Sequence, residues 1–141
     1  MQGSTYLHFN GDCKEAMAFY ADVLGGEMTM LMQFKDAPEE VYKNIPDEAM
    51  ELTMHCTVEA GSFSIMGSDF LDENETLTKG NNFAVSINTE DEAAAVAIFN
   101  GLSNEGSVMM PLEEAFWGGK FGMLRDKYGV NWMISIEEQI S

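Results

Sequence analysis

Basic residues are scarce: seven lysines and arginines stand against 24 aspartates and glutamates in 141 residues, a net charge of −17. Such a surface repels phosphate backbones and anionic headgroups, which argues against nucleic acid and membrane surfaces as partners. Long apolar runs are missing too, and nothing approaches the roughly 18 residues of a membrane span. Two cysteines, Cys13 and Cys56, are too few for a disulfide framework. Met1 opens onto strand-like sequence with no basic, apolar leader, so the expected location is cytoplasmic with reduced thiols. Against these absences stand a 45% hydrophobic fraction, 11% aromatic residues and twelve methionines, too apolar a composition for disorder. The acidic excess is compatible with a merely solubilising surface and with a cationic ligand, and composition leaves both open.

Hydrophobic periodicity divides the chain into alternating elements. Residues 5–9 read as a strand, and Asn10-Gly11-Asp12 as a turn into a helix over 13–24. Its apolar residues Ala16, Phe19, Tyr20, Val23 and Leu24 follow helical spacing, with Gly25-Gly26 as the stop. Residues 27–34 read as a strand. Residues 36–51, with Pro38, Pro46 and six acids, read as a solvated acidic insertion with one short helix. Residues 52–59 and 62–67 flank Ala60-Gly61 as a hairpin, pairing Val58 with Phe63, Cys56 with Ile65 and His55 with Met66. A polar loop over 68–80 follows.

The second half repeats the order. A strand over 82–87 precedes a helix with the stripe Ala93, Val96, Ala97, Phe99 and Leu102, ended by Asn104-Glu105-Gly106. Strands follow at 107–110, 120–125 and 130–136, the last two joined by Asp126-Lys127-Tyr128-Gly129. Glu15-Ala16 recurs as Glu92-Ala93, 77 positions on, and the helix-closing Gly26 and Gly106 keep nearly that offset. The chain therefore reads as one domain, 1–141, of α+β class. It holds two tandem βαβββ modules, approximately 1–70 and 80–141.

Phe19-Tyr20 with Leu24-Gly25-Gly26, and Asp126 through Trp132, resemble the vicinal oxygen chelate superfamily of glyoxalases, bleomycin-resistance proteins and dioxygenases. Tyr6-Leu7-His8-Phe9, Glu15-Ala16, Met66-Gly67-Ser68-Asp69, Pro111, Phe116-Trp117-Gly118 and Phe121-Gly122 resemble its PhnB-like branch more narrowly. The resemblance implies a cupped mixed sheet with helices on the convex side, modules facing a pocket, and a homodimer. In metal-dependent members of such a family, four ligands, usually two His and two Glu, rise from the pocket floor. Carried onto this chain, those positions fall on Thr5 and on or next to Met66, Asn82 and Met133. Hydroxyl, amide and thioether groups do not suit a hard divalent ion, so neither metal nor cofactor is expected. Names implying demethylubiquinone methyl transfer also attach to PhnB-like sequences. No glycine-rich nucleotide loop follows a strand here, as a methyl-donor fold needs.

Strand alternation counted from those floor positions puts Thr5, Leu7 and Phe9, Ser62, Ser64 and Met66, Asn82, Ala84 and Ser86, and Asn131, Met133 and Ser135 in the cup. His8 falls beneath the first helix. His55 enters the cup as the best titratable candidate, whether as general base, as hydrogen-bond partner of a ligand or as structural imidazole. Phe116 and Trp117 sit in a glycine-flanked loop that suits both a lid and a core plug, and Arg125 suits a carboxylate clamp or a local ion pair. The expected site uses Met66, Met133, Trp117 and Phe121 for apolar contact and His55, Asn82 and Asn131 for orientation. It would take a small organic molecule, cationic if the acidic surface reflects the ligand. A lyase, isomerase or dioxygenase-type enzyme, or an antibiotic-sequestering protein, are the alternatives, and whether any reaction is catalysed stays open.

Overall fold

A computed structural model describes residues 1–71 and 75–138; part of the predicted loop over 68–80 lies outside these. The chain divides into two compact units, Met1–Thr78 and Lys79–Ser141. The first contains β1 (Thr5–Phe9), α1 (Cys13–Leu24), β2 (Glu27–Gln33), the short α2 (Glu39–Tyr42), β3 (Thr53–Ala60) and β4 (Phe63–Asp69). The second contains β5 (Val85–Thr89), α3 (Glu92–Ser103), β6 (Ser107–Glu114), β7 (Lys120–Arg125) and β8 (Asn131–Ile136). The sheets have matching topology, in the order β1-β4-β3-β2 and β5-β8-β7-β6. In each, the strand before the long helix pairs in parallel with the last strand of its unit, and the other pairs are antiparallel.

Each sheet is covered on one face by its long helix. Gly25 closes α1 at φ 68°, a left-handed conformation that glycine adopts without side-chain cost, and the Gly26 N–H donates to Ala21 C=O at 2.8 Å. The Asp12 side chain makes no cap hydrogen bond. Asp69, buried at the end of β4, serves that end of the helix instead: Oδ1 accepts from the Cys13 and Gly11 N–H groups at 3.0 and 2.9 Å, and Oδ2 accepts from Thr53 N–H at 2.9 Å. α3 starts on Asp91, whose Oδ1 accepts from Ala94 N–H at 3.1 Å.

Packing of these helices corrects four expectations. In β1, Leu7 and Phe9 are buried while Tyr6 and His8 are exposed, and the Phe9 and Tyr20 rings lie 6.4 Å apart. Leu7, Phe9 and Thr5 therefore face the helix, and His8 lies on the open face, the reverse of the alternation counted from the expected ligand positions. Burial of a phenyl ring against α1 fixes the phase. The hairpin turns at Gly61-Ser62, with Gly61 at φ 60°, so Ala60 pairs with Phe63, Val58 with Ile65, Cys56 with Gly67 and Thr57 with Met66. A slip of two residues preserves the faces, so His55 and Met66 still point to the same side. In the alanine-rich α3 the buried stripe is Ala95, Phe99 and Leu102; Ala93, Val96 and Ala97 are exposed. Finally, β5 starts at Val85, which leaves Asn82 and Phe83 exposed in the preceding bend instead of on the strand.

The segment 36–51 carries α2 and a 3₁₀ turn (Asp47–Ala49), and it is anchored where Phe34 N–H donates to Leu52 C=O and Lys35 N–H to Met50 C=O. β6 is an edge strand, exposed along nearly all its length, with irregular pairing either side of Met110 and a proline at position 111.

Candidate functional site

Strand register defines the uncovered face of each sheet. In the first unit one cross-strand row runs Met30, Thr57, Met66, Tyr6, and beside it Met32 faces His55 while Ser68 faces His8. The Tyr6 hydroxyl lies 3.1 Å from His55 Nδ1, and Nε2 of the same ring lies 2.9 Å from Thr57 Oγ1. Sequence spacing showed no partner for His55, because Tyr6 comes from a strand 49 positions away and meets it only across β4.

In the second unit the rows are Ser86, Met133, Met123, Met110 and Asn88, Ser135, Phe121, Glu113. Met133 and Phe121 thus share the open face. Trp117, in the β6–β7 connection, stands edge-on to Phe121 at 5.6 Å and to Phe116 at 4.8 Å. Trp117 is 60% and Phe116 98% exposed, so the loop walls a surface hollow and plugs no core. The hollow is a cavity of about 330 Å³ lined by Met109, Met110, Pro111, Glu113, Glu114, Ala115, Phe116, Trp117 and Phe121.

Two expected orienting groups are placed otherwise. Asn82 lies outside the sheet. Asn131 is buried, its amide donating to the Gly80 and Phe83 carbonyls at 3.1 and 3.4 Å and its oxygen accepting from Arg125 Nε at 3.0 Å. It ties the 80–83 bend to β8. Arg125 thereby contacts an amide, and among the described residues it makes no ion pair.

The donor set does not fit a hard divalent ion. Thr5 is on the helix side, Met66 and Met133 offer thioethers, and among the described residues no three His, Cys, Asp or Glu side chains converge as a metal cluster. Both cysteines are fully buried. Burial, with the Asp69 carboxylate adding to it, pushes the Cys13 thiol far above its usual range, and burial pushes Cys56 up to about 11. Neither is a nucleophile at neutral pH.

A family model described as 3-demethylubiquinone-9 3-methyltransferase matches residues 2–135. The crystal structure of protein PA1353 from Pseudomonas aeruginosa is 36% identical, with a TM-score of 0.85 and 99% of both chains covered. A putative 3-demethylubiquinone-9 3-methyltransferase, PhnB protein, from Bacillus cereus is 26% identical, with a TM-score of 0.74 over 96% of this chain and 99% of that one. A glyoxalase/bleomycin resistance protein/dioxygenase superfamily member from Sphaerobacter thermophilus, 18% identical with a TM-score of 0.58 over 97% and 98%, shares the fold. The family-model match over residues 2–135 makes the chain a member of the PhnB-like family described as 3-demethylubiquinone-9 3-methyltransferase, on the glyoxalase/bleomycin resistance fold.

Proposed function

We propose that this protein binds a small organic cation, flat or elongated, at the aromatic hollow of its second unit, without a metal. The observation that carries the reading is the lining. Trp117, Phe116 and Phe121 present ring faces and edges, Met109 and Met110 supply adaptable thioethers, and the two charged groups, Glu113 and Glu114, are both carboxylates. Aromatic faces and carboxylates both attract a desolvated cation, and a net charge of −17 raises its local concentration.

Methyl transfer, which the family description names, has less support. Asn10-Gly11-Asp12 between β1 and α1 holds one glycine, and Glu90-Asp91 between β5 and α3 holds none, so neither junction supplies a glycine-rich loop for a nucleoside methyl donor. Antibiotic sequestration is the form of the same reading in which the cation is a drug. A homodimer in the cytoplasm, expected from the sequence, belongs with it.

Benzyltrimethylammonium and its uncharged carbon isostere neopentylbenzene test the proposal. The cation is expected to quench Trp117 emission saturably, with Trp132 buried and unaffected, and calorimetric titration of Trp117→Ala is expected to show no binding. Glu113→Gln with Glu114→Gln is expected to weaken it. Equal binding of the isostere, or binding that survives loss of Trp117, overturns the reading.

A further inference from the structure

The sequence holds two Asn-Gly pairs, Asn10-Gly11 in the turn from β1 to α1 and Asn100-Gly101 inside α3. Glycine after asparagine leaves the side-chain carbonyl carbon open to attack by the next main-chain nitrogen, because no Cβ screens it and the chain turns freely there. Both asparagines are exposed, so access to water does not separate the pairs. Their backbones do.

At Asn100 the ladder of α3 takes up the Gly101 N–H, and helical dihedrals keep the asparagine side chain away from that nitrogen. Releasing it means unwinding the last turn, and Leu102, one residue on, is fully buried. Asn10 instead lies in a bend. Gly11 has φ 95°, and a Cβ built on it meets nothing within 4 Å. Its nitrogen is held by the hydrogen bond from Gly11 N–H to Asp69 Oδ1 at 2.9 Å. Asp69 still accepts from the Cys13 and Thr53 N–H groups when that bond opens, so the turn can open while the helix stays.

We propose that Asn10 is a deamidation site of the folded protein, gated by the Gly11–Asp69 hydrogen bond, and that its products loosen the start of α1. Once the bond opens, the Gly11 nitrogen gives its proton to solvent and bonds to Asn10 Cγ. The Cγ–Nδ2 bond breaks, and Nδ2 leaves as ammonia with a proton returned from solvent. Water then opens the cyclic imide at either carbonyl, leaving aspartate or isoaspartate at position 10. Each product adds a carboxylate next to Gly11 and Asp12, on a turn already held by the Asp69 carboxylate. Isoaspartate also adds one carbon atom to the main chain, where a single Asp69 oxygen fixes both Gly11 and Cys13. The corresponding junction of the second unit, Glu90-Asp91, has no Asn-Gly pair, so the change is confined to the first unit.

Trypsin releases residues 1–14 and 80–120 as separate peptides, so mass mapping with fragmentation reads both pairs in one sample of the full chain. In native buffer Asn10 is expected to convert at least about tenfold faster than Asn100, the factor that exposing one buried leucine supplies. In urea the two rates are expected to converge, since the dipeptides are the same. The isoaspartyl fraction, separated by anion exchange, is expected to unfold at a lower urea midpoint than the unmodified chain. Equal native rates, or a faster Asn100, overturn the proposal. So does a difference that persists in urea, which would belong to the flanking sequence and not to the fold. An unchanged midpoint of the isoaspartyl fraction overturns the loosening of α1.

Discussion

The Trp132 indole nitrogen lies 2.8 Å from Asp126 Oδ2, with both residues buried, while Oδ1 of the same carboxylate accepts from the Tyr128 and Val130 N–H groups at 2.8 and 3.0 Å. One carboxylate thus shapes the β7–β8 turn and anchors the largest fully buried side chain of the core. Asp126→Ala strips three charge-assisted bonds and strands buried donors, so it is expected to cost about 3 kcal/mol or more, read as a fall in the urea midpoint with an unchanged slope.

Gly26 and Gly106 hold equivalent posts after the two long helices. A Cβ on Gly26 would sit 2.3 Å from the Glu59 carbonyl oxygen, and one on Gly106 would sit 2.3 Å from that of Arg125. Each contact is with backbone of a neighbouring strand, which cannot rotate away. Gly26→Ala and Gly106→Ala are each expected to lower stability by about 1–3 kcal/mol in thermal or urea unfolding.

Thiol ionisation gives a pH dependence. An unfolded thiol titrates near 9, whereas Cys56 in the fold titrates near 11. The unfolded state therefore loses its proton first, and the contribution of Cys56 to stability, complete below pH 9, falls away between about 9 and 11. Cys13 is shifted the same way. Urea midpoints at pH 8 and 10.5 are expected to show the loss, and Cys56→Ala to reduce the difference. A thiol-specific reagent at pH 8 is expected to label neither cysteine until the protein unfolds.

The facing of β1 makes a further test. Phe9 is fully buried against α1, so Phe9→Ala is expected to cost about 3–5 kcal/mol. His8→Ala, on the open face, is expected to change stability by less than about 0.5 kcal/mol. Comparable costs for the two would put the strand the other way round.

These residues also show what the sequence conveys. The bounds of β1, α1 and β7 are legible because apolar spacing, the Asn10-Gly11-Asp12 turn and paired glycines mark them locally. Facing in β8 is legible as well, since Trp132, Ile134 and Ile136 alternate cleanly with smaller groups. In β1 the residues Tyr6, Leu7, His8 and Phe9 alternate only weakly in polarity, so the phase rests on where Phe9 packs, which is tertiary information. The stripe of α3 is obscured by alanines that suit either face. His55 was recognisable as a candidate, but its Tyr6 partner depends on a parallel pairing of β1 with β4 that no local pattern encodes. Asn131 has the composition of a ligand contact and the geometry of an internal tie.

Pro111 has a consequence for the protein's behaviour at high concentration. The outer border of the second sheet carries exposed Val108, Met109 and Met110, a run suited to recruiting another extended chain into a growing stack. A prolyl nitrogen bears no hydrogen, so an incoming strand finds a missing rung immediately beyond that run, and fibre-like propagation along this border is checked.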